Sequence, residues 1–202
     1  MQRFPFLEAL VPVVGQDALV VATAYTGREW AHLRPSDGNM RTRTLGMISS
    51  MALGIALELP HRLVVALDGD GAFLMNLCGL PTIAKHRPPN LLHILFDNGV
   101  YEASGSQPSA SDVADLIGVA RAAGYPRAKW VSTPAEMARE AADAIKSREL
   151  TLLGVKIDTG GADVPEFQMP EVEMKFRFIR NIERTERRSI LSAWSAAADG
   201  KQ

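Results

Sequence analysis

Two short segments pair hard oxygen donors with glycine. Asp68-Gly69-Asp70-Gly71 closes an apolar run at 63–67, and Asp97-Asn98-Gly99-Val100-Tyr101 closes another at 91–96. A carboxylate from Asp70, an amide oxygen from Asn98 and a main-chain carbonyl just past Asn98 are ligands of the kind magnesium takes. That ion is held by few protein groups and fills its octahedron with phosphate and water. Gly69 and Gly71 allow a tight turn, and a helix starting near Phe73 would aim its first N–H groups at an anion. Taken alone, Gly-Asp-Gly is a common way to end a strand. Its pairing with Asp97-Asn98 after residues 72–96 gives it weight. Neither a Gly-x-Gly-x-x-Gly nor a Walker A sequence is present.

The elements that must position these donors are legible in the hydrophobic pattern. Leu63–Leu67 and Leu91–Phe96 are nearly continuous apolar runs, as strands are when helices cover both faces of a sheet. Weaker runs lie at 18–22 and 152–157. Helical patterns fill the gaps at 45–59, from Phe73 to about Lys85, and from Asp112 to Ala123. Thr133-Pro134-Ala135-Glu136 supplies an N-cap, a proline at the first helical position and a capping-box glutamate. Strands alternating with helices imply an α/β, doubly wound, mainly parallel sheet with right-handed crossovers. Ligands of such sheets bind beyond the carboxyl ends of the strands, where both Asp/Gly segments fall.

Composition bounds the function. Of 202 residues, 22 are Lys or Arg and 23 Asp or Glu, so no basic excess advertises nucleic acid. Cys78 is the one cysteine, which excludes an internal disulfide framework and a multi-cysteine metal cluster. The first six residues are too weakly apolar for a signal peptide, and no run approaches the ~18 apolar residues of a membrane helix. A soluble, cytoplasmic protein with neither nucleic-acid nor membrane partners is expected. Two regions are expected: an α/β domain over 1–165 and a C-terminal helical extension over 166–202. Thr159–Pro165 is the break between them, and a charged helix follows from about Pro170 to Arg187. Its Phe176, Phe178 and Ile179 need cover, so this helix is a candidate subunit contact.

The interval between Gly-Asp-Gly and Asp-Asn resembles the cofactor signature of thiamine diphosphate-dependent enzymes. Gly46-Met47-Ile48-Ser49-Ser50-Met51-Ala52-Leu53-Gly54 is similar to the segment before that signature. Asn98-Gly99-Val100-Tyr101, Ser104-Gly105-x-Gln107-Pro108 and Ala162-Asp163-Val164-Pro165 follow in the family's order. Over roughly residues 8–182 the chain resembles the branch holding sulfopyruvate decarboxylase β subunits and the C-terminal half of phosphonopyruvate decarboxylase.

The resemblance implies that Asp70, Asn98 and the Val100 carbonyl hold Mg2+ on the cofactor's diphosphate, with Gly69, Gly71, Ala72, Thr26 and Tyr101 around it. Leu45 would wedge between the cofactor's two rings, main-chain groups at Arg43 and Leu45 would meet its aminopyrimidine edge, and Gly46 is counted among the cofactor-binding residues. It implies the β subunit of a two-component 2-oxo acid decarboxylase, a carbon–carbon lyase acting on a 3-substituted pyruvate. The activating glutamate would come from a separate pyrimidine-binding α subunit, in an α2β2 assembly or a multiple of it. The alternatives are a carboligase component akin to acetolactate synthase, and a non-catalytic scaffold paralogue.

Several positions depart from the family pattern. Tyr25 stands where relatives usually carry glycine, Leu45 replaces methionine, and Thr44 lies near a small or polar family position. Glu102 replaces glycine, and at the pocket mouth it would either act as a catalytic carboxylate or repel an anionic substituent unless protonated or paired. Arg28, Arg34, Arg41 and Arg43 crowd one segment, where a solvated loop is the plainer expectation and anion binding the sharper one. His93 reads as a satisfied core histidine, His32, His61 and His86 as surface residues, and Cys78 as buried packing.

Overall fold

A computed structural model describes residues 1–166 and 169–190. The four apolar runs become the four inner strands of one six-stranded parallel sheet. They are β1 (Leu19–Thr23), β3 (Val64–Gly69), β4 (Leu91–Asp97) and β8 (Thr151–Lys156). Two short strands that no apolar run announces, β2 (Asn39–Thr42) and β7 (Arg127–Trp130), complete the order β2-β1-β3-β4-β8-β7. Both are edge strands with one open flank, so polar Asn-Met-Arg-Thr and Arg-Ala-Lys-Trp suffice there. A two-stranded antiparallel ribbon, β5 (Val100–Tyr101) with β6 (Gln107–Pro108), stands off the end of β4.

Helices cover both faces, as the continuous apolar strands require. One face packs under α3 (Ile48–Glu58), α5 (Gly79–His86), α6 (Leu116–Ala122) and α8 (Glu171–Glu186), through Ala52, Ile83, Ile117 and Phe178 among others. The other packs under α1 (Phe4–Val14), α2 (Ala24–Leu33) and α7 (Pro134–Ser147), through Phe6, Leu10, Trp30 and Met137. The N-cap expected at Thr133 is present: its side chain accepts from the Glu136 N–H at 3.1 Å, while Glu136 reaches back to the Ser132 N–H at 2.9 Å. On α8, Met174, Phe178 and Ile182 are buried one turn apart, whereas Phe176 stays exposed. No described helix is long and apolar enough to cross a membrane.

Three expectations need correction. The helix from Phe73 to Lys85 is two helices, α4 (Asp70–Leu74) and α5, with a turn between them. Asn76 lies in that turn, where its side-chain amide donates to the Gly46 carbonyl at 2.6 Å and the Ser50 hydroxyl at 3.0 Å and ties the turn to the start of α3. Cys78 lies in that turn and is exposed, not packed in the core. The helix expected from Asp112 begins only at Leu116, because Asp115 caps it by accepting the Gly118 N–H at 2.9 Å.

His93 is the satisfied core histidine expected. One ring nitrogen lies 3.3 Å from Asp68 Oδ2 and the other 3.3 Å from the Tyr125 hydroxyl, all three residues being buried.

Candidate active site

The chain runs from β1 outward to β2 and then returns to lay β3 on the other side of β1. Neighbouring strands there leave in opposite directions, which opens a crevice at their carboxyl ends. A cavity of about 470 Å³ occupies that place. Thr23, Thr26 and Arg28 line it from the β1 side, and Gly69 to Ala72 from the β3 side. Asn98 and Val100 to Ser104 come from β4, and Arg41, Arg43 and Leu45 from β2.

Asp70 is the first residue of α4, and it is buried. Burial pushes its carboxyl above the ordinary aspartate range; the Ser109 hydrogen bond pulls it back and nearby Asp97 raises it further. The Ser109 hydroxyl donates to Asp70 Oδ2. Asn98 Oδ1 accepts from the Val100 N–H at 3.1 Å, which leaves its second lone pair open. The Gly99 carbonyl takes the Ser109 N–H at 2.8 Å, so Val100 and Pro108 face one another without exchanging hydrogen bonds, and Pro108 has no N–H to offer. The Val100 carbonyl therefore lies outside the ribbon's ladder. One carboxylate, one amide oxygen and one peptide oxygen on a shared cavity wall fit a hard divalent cation that draws its remaining ligands from phosphate and water. Among the described residues no group of three or more His, Cys, Asp or Glu could hold a metal ion, so a cage built wholly from such side chains does not compete.

Gly71 is dictated by close approach. A Cβ there would lie 2.6 Å from Cδ1 of Tyr101, so only glycine lets that ring lie across the start of α4. Gly46 plays a different part from the lining residues. It sits behind Leu45 with φ at +80°, against Met75 and Asn76, and turns the chain from β2 into α3.

A serine pair that sequence reasoning passed over ties the two strand ends together. Ser109 and Ser111 contact each other at 3.1 Å; Ser109 holds Asp70, and Ser111 donates to Asp97 Oδ1 at 2.7 Å. Asp97 also receives the Lys156 ammonium. The sequence signal was Ser-Ala-Ser directly after the β6 proline, but nothing local points those hydroxyls at carboxylates.

Glu102 has partners, the condition the sequence reading left open, and it shares the Arg3 cation with Glu29. It accepts the Gly160 N–H, lies 3.3 Å from the Asn98 amide nitrogen and stands 3.7 Å from Arg3 Nη1. Arg3, itself buried, donates to Glu29 at 2.7 and 3.2 Å, and Glu29 also accepts the Ala162 N–H at 2.8 Å. A Glu–Arg–Glu chain thus fastens the residue after β5 to α2 and to the 160–162 loop.

The four arginines separate by role. Arg34 is fully buried and donates to the carbonyls of Gly15, Gln16 and Ala18 at 2.6, 2.6 and 3.0 Å and to Asn39 at 2.9 Å; it is neither solvated nor part of the cavity. Arg28, Arg41 and Arg43 line the cavity. The Arg43 N–H is given to Glu171 at 3.1 Å, leaving its carbonyl for other partners.

Comparison with known proteins agrees with this arrangement. Residues 14–155 match the thiamine pyrophosphate enzyme C-terminal TPP binding domain. The chain is 34% identical over 188 residues to the sulfopyruvate decarboxylase subunit beta of Methanothermobacter thermautotrophicus, covering 90% of this chain and 96% of that one. It is 34% identical to the phosphonopyruvate decarboxylase of Streptomyces viridochromogenes over 87% of this chain, yet spans only 45% of that enzyme. In fold it matches benzoylformate decarboxylase from Polynucleobacter necessarius with a TM-score of 0.66 at 18% identity, over 81% of this chain and 34% of that one. Sheet order, crevice and sequence together place the chain in the thiamine pyrophosphate enzyme family, as its C-terminal, TPP-binding domain.

Proposed function

We propose that the chain is the diphosphate- and Mg2+-binding β subunit of a two-component 2-oxo acid decarboxylase acting on a 3-substituted pyruvate. The observation that carries this reading is the oxygen donor set of Asp70, Asn98 and the Val100 carbonyl on one cavity wall. Bound thiamine diphosphate supplies the carbon nucleophile that adds to the 2-oxo acid and takes up the electrons released with carbon dioxide. The protein supplies position and field. Asp70, Asn98 and Val100 hold the metal, the N–H groups of Gly71 and Ala72 face the diphosphate, and Leu45 projects from the β2 side toward the space for the rings. Glu102, fastened by Arg3 and Gly160, shapes the mouth and fixes the Asn98 amide; this role replaces that of a free acid.

Two observations support a separate pyrimidine-binding α subunit. The match covers 96% of a relative whose name is subunit beta. Leu45 is half-buried and Tyr25, Met47 and Met75 are exposed, a set of apolar side chains near the crevice suited to a protein partner.

Calorimetry with thiamine diphosphate and Mg2+ tests the site. Asp70→Ala is expected to abolish metal-dependent cofactor binding, and binding equal to wild type would overturn the assignment. Product analysis of the assembled complex, with and without an acceptor aldehyde, separates decarboxylation from carboligation.

A further inference from the structure

Three arginines wall the β1/β2 end of the cavity, opposite the metal donors, and their partners differ. Arg43 Nε lies 3.7 Å from Glu171 Oε1. Arg41 packs its stem against α2 where Gly27 leaves room: a Cβ at Gly27 would stand 2.7 Å from Arg41 Cγ. Burial pulls the Arg41 guanidinium down first; Arg43 and Arg28 add to this, and Glu171 and Glu166 oppose it. Arg28 has no hydrogen bond or ion pair with any described residue, and its Nε is buried without a partner. Its guanidinium carbon lies over the Tyr25 ring, 5.6 Å from the ring centroid. An aromatic face holds the guanidinium plane but satisfies none of its N–H donors.

A partnerless guanidinium beside a second one, on the wall of a cavity, is an arrangement that an anion with several oxygens relieves. The diphosphate has its own neutralisation at the other end, from a divalent cation and the N–H groups that open α4. Strands in a sheet are about 4.8 Å apart, so Arg41 on β2 starts from a strand roughly 10 Å along the sheet edge from β3 and Asp70. Arg28, on α2 after β1, lines the same cavity and its charge acts on Arg41, so the pair can take an anion other than the diphosphate.

We propose that Arg28, with Arg41 beside it, receives the second acidic group of the substrate, a tetrahedral oxyanion of the sulfonate or phosphonate type on C3 of the 2-oxo acid. The inference rests on the decarboxylase reading above and makes Arg28 the residue that separates a doubly charged oxo acid from pyruvate.

The test uses the full chain with Mg2+ and thiamine diphosphate, titrated calorimetrically with the unreactive probe 3-phosphonopropionate and, as the singly charged control, with propionate. Arg28→Gln is expected to weaken the probe roughly tenfold or more. Propionate and thiamine diphosphate affinities should stay unchanged. Arg28→Lys, which keeps the charge but loses the fork, should fall between and carries the test if the glutamine variant does not fold. A wild-type chain that binds the probe no better than propionate overturns the proposal, as does an Arg28→Gln chain that binds it like wild type. An equal loss of thiamine diphosphate affinity would instead assign Arg28 to the cofactor's diphosphate and also overturn it. Turnover in the assembled complex keeps the two readings apart. Arg28-dependent probe binding with no carbon dioxide released from 3-phosphonopyruvate or 3-sulfopyruvate sinks the decarboxylase reading and leaves the anion site standing.

Discussion

The Ser109 hydroxyl donates to one oxygen of the Asp70 carboxylate across 39 residues of chain, at a depth where both side chains are buried. This leaves the other oxygen for a metal and fixes the plane of the carboxylate. Partners that orient a metal ligand typically account for about 10–100-fold in affinity. Ser109→Ala is therefore expected to raise the Mg2+ concentration needed for thiamine diphosphate binding by about that range, and Ser109→Thr to restore most of it. Metal titrations followed by cofactor binding check both.

Asp70 also makes stability depend on pH. Its carboxyl is raised in the folded chain, chiefly by burial, so the folded state holds a proton that the unfolded state has released. The metal-free protein should lose stability as pH rises from the ordinary aspartate range through the raised value. Asp70→Asn escapes this loss: its melting temperature without metal should exceed that of wild type at pH 7 and converge with it near pH 4. Added Mg2+ and thiamine diphosphate should stabilise wild type alone. Melts across that pH range, with and without ligands, give the answer.

The Arg127–Glu140 cluster has the opposite sign. Burial alone would raise the Glu140 carboxyl, but hydrogen bonds from Arg127, Lys129 and Arg139 hold it down at about 2. Its contribution is complete above the ordinary glutamate range and is lost as pH falls through about 2. Glu140→Gln should cost about 1 kcal/mol at neutral pH. The gap to wild type should close as pH falls from about 4.5. Urea unfolding at pH 7, 4 and 2.5 measures it.

How much of this was legible in the sequence differs from residue to residue. The inner strands were, because burial on both faces demands continuous apolar runs such as Leu91–Phe96. Asp70 and Asn98 were, because each is fixed by the covalent end of such a strand. β2 and β7 were not: an edge strand needs no apolar run. Ser109, Arg3 and Glu29 were not either, since their parts arise only where distant segments meet. The partners of Glu102 could not be read off, because the Arg3 cation lies at the other end of the first hundred residues. Asn76 shows the same limit, since its side-chain bond to the Gly46 carbonyl joins segments 30 residues apart.

Arg3 supplies a further expectation. With Glu29 fully buried, Arg3→Met leaves a carboxylate without its cation and should cost about 3–5 kcal/mol. Arg3→Met combined with Glu29→Met should recover part of that loss, since the uncompensated charge is gone. Glu102→Gln, at a partly exposed position, should be much milder. Denaturant unfolding of the single and double variants gives the coupling directly.

The Arg3–Glu29–Glu102 fastening also sets an order of assembly. Arg3 leaves the ribosome long before the 160–162 loop, yet that loop is secured only when the Gly160 and Ala162 amides arrive. A nascent chain halted before residue 160 would already carry Asp70, Asn98 and both serines, but with an unanchored pocket mouth. Competence for the cofactor then waits on a segment made well after the metal donors themselves.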